Sequence, residues 1–404
     1  MNLRTPQRCD NSPGHSLPID RNVPALLIRL DRNPFHHGTL AAIRSLGRLG
    51  VEVHAVLDER PGPVARSRFL AGHQTWHPSS FVESLLEAAE RIGKRAVVLP
   101  LDDISAIRLA EHSRELASAF YLPKQADELP RRLADKHALA TICAELGLAH
   151  PDTVVVESMR DLRRAAMRFG YPLIAKWAKP WLVSGGGTSV VHTDDQARVL
   201  LGQAGDNELL FQRLIPYAPR ADWFFHGYFD PDAGCVFEGT GCKDRAYPPA
   251  AGLTTLGRWL PNLRVAELAK ELAAALRYSG ILDMDFRYSA RDDRYYLLDF
   301  NPRIGAQFRL FRDGNGLDVV RAAHLSLTGR RPPTCRPVYG RVYLVENYDL
   351  LRKIVGRRSV RTSARPGWLR SVRRADELAW YSRDDVRPFL QMLKYTALRG
   401  LNRR

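Results

Sequence analysis

The densest run of chemically capable residues lies between positions 282 and 303, Leu282-Asp283-Met284-Asp285-Phe286-Arg287 followed by Tyr295-Tyr296-Leu297-Leu298-Asp299-Phe300-Asn301-Pro302-Arg303. Side chains on a strand alternate faces, so Asp283, Asp285 and Arg287 share one face, as do Asp299 and Asn301. The four residues Ala290-Arg291-Asp292-Asp293 between the two runs suit a hairpin turn, which can set Asp285 across from Asp299 and Asn301. Two carboxylates and an amide oxygen are hard donors suited to Mg²⁺ held jointly by protein and nucleotide phosphates. The competing reading is a polar face turned to solvent. The flanking Leu297, Leu298 and Phe300 weigh against it, because unpaired carboxylates in a partly buried strand are costly.

Lys176 stands in an otherwise apolar strand, Leu173-Ile174-Ala175-Lys176-Trp177, where an ammonium needs an anion. Eight residues on begins Ser184-Gly185-Gly186-Gly187-Thr188-Ser189, whose backbone N–H groups can crowd phosphate oxygens without Cβ clashes. It is not a GxxxxGK[ST] loop, and alone it reads equally as a flexible hairpin. Lys243 and Arg245, in Gly241-Cys242-Lys243-Asp244-Arg245-Ala246-Tyr247-Pro248-Pro249, read either as an anion-holding loop between strands or as a solvated charged turn.

The elements that must position these residues fall into three blocks. Residues 23–122 alternate strand, helix and strand (23–31, 51–57, 96–101), an open parallel sheet whose ligands sit beyond its strand ends. No GxGxxG follows the first strand, which argues against a dinucleotide site. The candidate contacts there are His36, His37, Gly38, Asp102 and Asp103. Residues 123–149 are linking helices, and 150–215 form a small α+β unit carrying Lys176 and the glycine run. Residues 216–345 read as closely spaced antiparallel strands (222–229, 234–240, 281–289, 294–300) with a helix at 265–278.

Taken together, the lysine strand, the glycine run, the strand Gln212-Arg213-Leu214-Ile215 and Leu297-Leu298-Asp299-Phe300-Asn301-Pro302-Arg303 resemble the ATP-grasp superfamily. The similarity is greatest to its carboxylate–amine ligase group, which includes D-aspartate ligase-like enzymes, and extends over about 25–345. The resemblance implies an α/β and α+β multidomain ATP-grasp fold behind a Rossmann-like pre-ATP-grasp domain. It implies a ligase that joins small-molecule carboxylate and amine substrates through an acyl-phosphate, using ATP with Mg²⁺, or Mn²⁺ in its place. Lys136 and Lys176 would touch the nucleotide phosphates, with Ser184, Gly185, Gly186, Gly187 and Thr188 closing over them. Gln212, Arg213, Leu214 and Ile215 would meet the adenine edge and Leu298 its ring. Asp285, Asp299 and Asn301 would hold the metal. Arg303, with Lys243 or Arg245, would stabilise the reacting acyl group. The family often has Glu where this chain has Asp299, and an acidic residue at or beside Gln212. A bicarbonate-using carboxylase and an ATP-binding protein with little catalysis are the alternatives.

The 404 residues carry a net charge of +16, but its distribution limits what it means. Residues 351–404 hold fifteen Lys/Arg against Asp376, Glu377, Asp384 and Asp385, a net of +11, which leaves +5 for the other 350. The excess is a C-terminal feature, and no RNA-binding or zinc-finger signature accompanies it, so nucleic acid is not expected as the main ligand. Residues 346–404 are expected to form a basic appendage, packed on the body or contacting a membrane surface peripherally through 386–401. No apolar run reaches the roughly 18 residues of a membrane span. Residues 1–22 lack an apolar signal core and read as a disordered leader. Five scattered cysteines without a CxxC pair suit a reducing cytoplasm. A homodimer is a further expectation.

Overall fold

The computed structural model describes residues 17–57, 62–76, 80–183, 187–232, 234–248, 252–356 and 367–401. The first layer contains β1 (Ala25–Ile28), α1 (His37–Gly47), β2 (Val53–Leu57), β3 (Gly72–Thr75), α2 (Phe81–Ile92), β4 (Ala96–Pro100), α3 (Asp103–Glu111), α4 (Ser113–Leu116) and β5 (Phe120–Tyr121). Its sheet is parallel throughout, in the order β3-β2-β1-β4-β5. The chain reverses direction of growth between β1 and β4, so the loops after these two strands open a crevice, the usual ligand position in such sheets. His36–Gly38 and Asp102–Asp103 lie there. The inner strands β1, β2 and β4 are buried on both faces, as a near-continuous apolar sequence requires, while the edge strand β3 is half-exposed.

Helices α5 (Leu129–Ala134) and α6 (Lys136–Glu145) lead to the second unit. It contains β6 (Thr153–Val155), α7 (Met159–Phe169), β7 (Leu173–Trp177), β8 (Thr188–Val191), α8 (Asp194–Leu201) and β9 (Leu209–Arg213), with its sheet ordered β6-β9-β7-β8. Leu162, Ala165, Leu173, Ala175 and Phe211 close a small core of its own.

The third unit is a seven-stranded sheet, β14-β13-β10-β11-β12-β15-β16. In chain order its elements are β10 (Asp222–Asp230), β11 (Gly234–Tyr247), β12 (Leu253–Trp259), α9 (Leu263–Ala275), β13 (Gly280–Ser289), β14 (Arg294–Asn301), α10 (Val319–Leu327), β15 (Val342–Leu344), α11 (Glu346–Gly356), α12 (Trp368–Arg374), β16 (Glu377–Leu378) and α13 (Arg387–Leu401). One face packs on α9 through Leu282, Met284 and Phe286. The other, through Phe224, Tyr228 and Ile281, joins the largest core, shared with the first layer.

Two sequence expectations are corrected, and the C-terminal one narrows to a single placement. The stretch around Lys243 and Arg245 is not a loop, because β11 continues to Tyr247 and pairs with β12. Its glycine serves packing: a Cβ on Gly241 would come within 2.3 Å of the Phe224 ring. The C-terminal residues pack on the body, one of the two placements expected for them. β16 pairs in parallel with β15, Trp380 is wholly buried, and the Asp385 carboxylate meets Arg44 Nε at 3.0 Å and accepts from Ser67 Oγ at 2.7 Å. The expected leader is ordered from residue 17 on: Ile19 is buried and Asp20 pairs with Arg330 at 2.8 Å. The rest of that leader, 1–16, lies outside the described residues. No helix among the described residues is long and apolar enough to cross a membrane.

Candidate active site

The β13–β14 hairpin sets Asp285 opposite Asp299 and Asp283 opposite Asn301. A bulge follows: Asp285 pairs with Asp299 but Phe286 pairs with Leu297, leaving Leu298 as the extra residue. A bulged residue leaves the ladder, and its groups are re-aimed. The Leu298 carbonyl accepts instead from Lys176 Nζ at 2.9 Å, crossing from the small sheet to the large one.

Lys176 also reaches Asp299, at 3.1 and 3.2 Å to its two oxygens. Lys136 Nζ meets the same carboxylate at 2.9 Å. Asp135 caps α6 by accepting from the N–H groups of His137 and Ala138, and Lys136 N–H donates to the Ala178 carbonyl at 2.8 Å. The helix start is thereby fixed at the end of β7, and both lysines converge on one spot. Burial opposes ionisation of Asp299, but the two ammonium groups outweigh it and hold its carboxyl well below the usual range. Burial also acts on Lys136, where Asp299 and Asp103 outweigh it and the pKa rises. Lys176 goes the other way, because burial and the neighbouring Lys136 together exceed the pull of Asp299. Two ammonium groups share one carboxylate, which leaves a surplus positive charge facing the cleft.

Next to this trio, Lys243 Nζ lies 2.7 Å from Asp285 Oδ1. Burial raises the Asp285 pKa against the attraction of Lys243, and Asp283 and Asp299 raise it further. One strand step beyond, Arg303 contacts Asp283 (3.1 Å) and Asp103 (3.4 Å) and donates to the Ile304 carbonyl. Asp283 faces the fully buried His226, 3.2 Å from its Nε2. Asn301 donates from Nδ2 to the Asp283 carbonyl at 3.2 Å, so Oδ1 is its ligand-capable atom. Among the described residues no group of three or more His, Cys, Asp or Glu is placed to hold a metal ion. The donor set Asp285, Asp299 and Asn301 still fits Mg²⁺ in kind, since that ion takes few protein oxygens and fills its octahedron with phosphate and water.

A cleft of about 670 Å³, partly open to solvent, runs between the two sheets. Lys176, Thr188, Lys243, Asp285, Leu298 and Asp299 line it, together with the whole run Gln212–Ile215. Gln212 is buried and donates to Thr153 Oγ1 at 3.0 Å. Arg213 turns outward to Asp152 at 3.1 Å and to the Tyr296 hydroxyl. The Ile215 carbonyl accepts from Arg287, whose guanidinium also grips Asp222. Gly187 lies at the cleft's edge, its carbonyl accepting from Trp177 N–H at 3.2 Å. Ser184, Gly185 and Gly186 lie outside the described residues.

Arg245 is not brought to the cleft. The register of β11 on β12 shifts between Lys243 and Arg245, with Asp244 as the extra residue, so the two cations leave on different faces. Arg245 is buried and pairs with Asp349 of α11 at 3.0 Å. In the first layer, only Asp103 of the five candidates contacts Arg303. His36 caps α1, with Nδ1 accepting from Thr39 N–H, and Asp102 caps α3 in a capping box with Ser105. His37 is buried among Tyr343, Tyr348 and Trp380. Gly38 packs on Ala306, whose Cα would lie 2.8 Å from an added Cβ.

Sequence reasoning missed His150. It lies in the extended segment that pairs with β14 through Leu297 N–H and the Ala149 carbonyl (2.8 Å). Its Nδ1 lies 3.0 Å from the Pro151 carbonyl, and burial, then Lys176, lower its pKa to about 4. A lone histidine before a proline carries no sequence signal for such a place. The role of Asp283 was also missed, because its partner His226 lies on a strand 57 positions away.

No family model matches the chain. A D-aspartate ligase of Enterococcus faecium is 25% identical over 260 residues, covering 60% of this chain and 62% of that protein. The arginine-specific large chain of carbamoyl phosphate synthase from Geobacillus stearothermophilus is 23% identical over 312 residues, 73% of this chain and 28% of that one. The chain thus spans less than two thirds of the length of either relative. Among solved structures, the N5-carboxyaminoimidazole synthetase from Staphylococcus aureus complexed with ADP superposes with a TM-score of 0.62 at 13% identity, covering 86% of this chain and 89% of that one. An L-amino acid ligase from Bacillus licheniformis gives 0.61 at 13% identity, with 80% of each chain covered. The chain thus has the fold of these ATP-grasp structures and is similar in sequence to a D-aspartate ligase and to carbamoyl phosphate synthase large chains.

Proposed function

We propose that this protein is an ATP-dependent ligase that joins a small-molecule carboxylate to an amine through an acyl-phosphate, releasing ADP and phosphate. The observation that carries the reading is the row of groups along the cleft: Lys136 and Lys176 on Asp299, Lys243 on Asp285, and Arg303 one step beyond. ATP fits the cleft with its adenine beside Gln212–Ile215 and Leu298, and its phosphates at the surplus charge of the two lysines.

A carboxylate is a poor electrophile because its oxygen leaves badly, and phosphorylation turns that oxygen into a good leaving group. Catalysis of such a transfer is mainly positioning and electrostatics. Bound Mg²⁺, held by Asp285, Asp299 and Asn301, would offset phosphate charge. Lys176 and Lys136 orient the transferred phosphoryl, and their ammonium groups turn from Asp299 toward its oxygens. Lys243 and Arg303 face the acyl carbon and stabilise the oxyanion as the amine attacks. Residues 184–188 are the segment suited to cover the phosphates and keep water from the acyl-phosphate. Arg245, held on Asp349, acts on stability rather than on the reaction.

The test is release of ADP and phosphate by the purified chain across a panel of carboxylates with and without amines. Stoichiometric release that needs both substrates supports the ligase. Release driven by bicarbonate alone would indicate a carboxylating enzyme, and release independent of any carboxylate would indicate a plain ATPase.

A further inference from the structure

His226 of β10 and Asp283 of β13 stand directly opposite each other, and both are buried, at 0% and 4% exposure. The Asp283 carboxylate divides its two oxygens between two partners. Oδ2 accepts from Arg303 Nη1 at 3.1 Å, and Oδ1 lies 3.2 Å from His226 Nε2. Arg303 is the outermost of the three, with a side chain 20% exposed. The groups thus run from the core outward: an imidazole, a carboxylate, and a guanidinium at the reacting end of the site.

The imidazole is fixed by what surrounds it. Phe224 and Phe311 flank the ring, with centroids 5.7 and 5.2 Å away. Phe311 has room there because the residue across from His226 on β11 is Gly239, where a Cβ would come within 2.5 Å of the phenylalanine ring. The chain leaving β14 passes over the pair at Gly305, where a Cβ would lie 2.1 Å from His226 Cε1 and 2.7 Å from Asp283 Cγ. Gly305 comes two positions after Arg303. The short segment that carries the guanidinium is therefore seated on the pair that holds it. His226 Nδ1 has no partner among the described residues, so the ring's polar contact is the one to Asp283.

Stability does not account for such a pair, since apolar residues of similar shape commonly replace a buried ion pair without loss. We infer that His226 is a positioning residue, which through Asp283 fixes where the Arg303 guanidinium stands as the acyl group reacts. Its effect on rate rests on the ligase reading, while the placement of Arg303 stands apart from it. A group that stabilises developing charge must be held within about 0.5 Å, and a misplacement of about 1 Å can cost a hundredfold in rate. Without His226, Asp283 keeps one partner in place of two and its carboxylate is free to turn. Arg303 then shifts toward Asp103, its other carboxylate, now at 3.4 Å.

The test compares the full parent chain with His226→Phe, which fills the space without a nitrogen, and His226→Gln, whose amide N–H can stand where Nε2 does. Crystal structures of each with ADP read the position of Arg303. Phosphate release with ATP and the panel of carboxylates and amines reads its consequence. In His226→Phe the guanidinium should move by about 1 Å or more, and kcat should fall about ten- to a hundredfold while the KM for ATP changes less than about twofold. His226→Gln should hold the guanidinium in place and keep kcat within about fivefold of the parent. Adding His226→Phe to Asp283→Asn should cost little more than Asp283→Asn alone, since both act through one guanidinium, whereas an independent structural loss would add in full. If His226→Phe does not fold, His226→Asn, polar but too short to reach Asp283, takes its place with the same expectations. Arg303 unmoved in the variant, additive losses in the double variant, or His226→Gln as slow as His226→Phe overturns the inference. Displacement of Arg303 in a chain that releases no phosphate with any carboxylate keeps the positioning role and removes the ligase reading instead.

Discussion

Replacing Asp299 by asparagine removes the one carboxylate that two buried ammonium groups share. Lys136 and Lys176 are 7% and 5% exposed, and both lie within 3.1 Å of an Asp299 oxygen. Breaking a buried pair by deleting one partner costs about 3–5 kcal/mol, since a charge is left without its counter-ion. The Asp299 side chain is 26% exposed, so screening reduces the figure to roughly 2–4 kcal/mol. For a chain of this size that is a fall in Tm of about 2–5 °C. The asparagine is isosteric, so cavity effects are small. Adding Lys176→Met should then return part of the loss, because one stranded cation disappears; double-mutant coupling of this kind is expected between groups in contact. The assay is thermal melting of Asp299→Asn, Lys176→Met, the double variant and the parent without nucleotide, with ATP turnover measured alongside. Turnover should vanish in all three. A single Asp299→Asn variant melting within about 1 °C of the parent would refute the shared-anion account of the two lysines.

Lys176→Ala should weaken ATP binding by roughly ten- to a hundredfold, the usual worth of ~1.5–3 kcal/mol for a hydrogen bond to a charged group, and calorimetry with ATP checks it. Trp380→Ala should destabilise the chain by about 3–5 kcal/mol in urea unfolding, because this wholly buried ring belongs to the largest core; a loss typical of a surface site would mean that the C-terminal residues fold apart. His37→Phe tests a pH effect. Burial lowers the His37 pKa from 6.5 to about 4, so the folded state resists a proton that the unfolded chain takes up. Stability is complete above pH 6.5 and is lost as pH falls toward 4, by roughly 3 kcal/mol at most from this one group. The phenylalanine variant should lose correspondingly less between pH 6.5 and 4, and an unchanged slope sinks the assignment.

What could be read in the sequence was what strand alternation and local composition encode. Asp285 across from Asp299 followed from a period of two and one short turn, and Lys176 stood out as a cation in an apolar run. The β-bulges were not legible, yet they decide two features of the site. One frees the Leu298 carbonyl for Lys176, and the other separates Lys243 from Arg245. Each depends on the register of two strands, which no single segment contains. Gly241 pointed to a loop because glycine is common in turns; it is there because Phe224 lies against it. The C-terminal 50 residues left two placements open because charge dominates their composition. Their attachment rests on a few buried contacts, Arg44 with Asp385 and Glu346 with the Trp380 and Tyr381 N–H groups, between residues tens to hundreds of positions apart.

The central claim is that the carboxylate is activated by phosphorylation, and the fate of one oxygen atom decides it. If the γ-phosphoryl group passes to the carboxylate, one carboxylate oxygen leaves with the phosphate when the amine attacks. A substrate labelled with heavy oxygen in its carboxylate, incubated with the purified chain, ATP, Mg²⁺ and an amine, should give one label in inorganic phosphate per amide formed, with ADP as the other product. Mass spectrometry of the released phosphate reads this directly. Label in AMP with release of pyrophosphate, or unlabelled phosphate during demonstrated amide formation, would contradict the account.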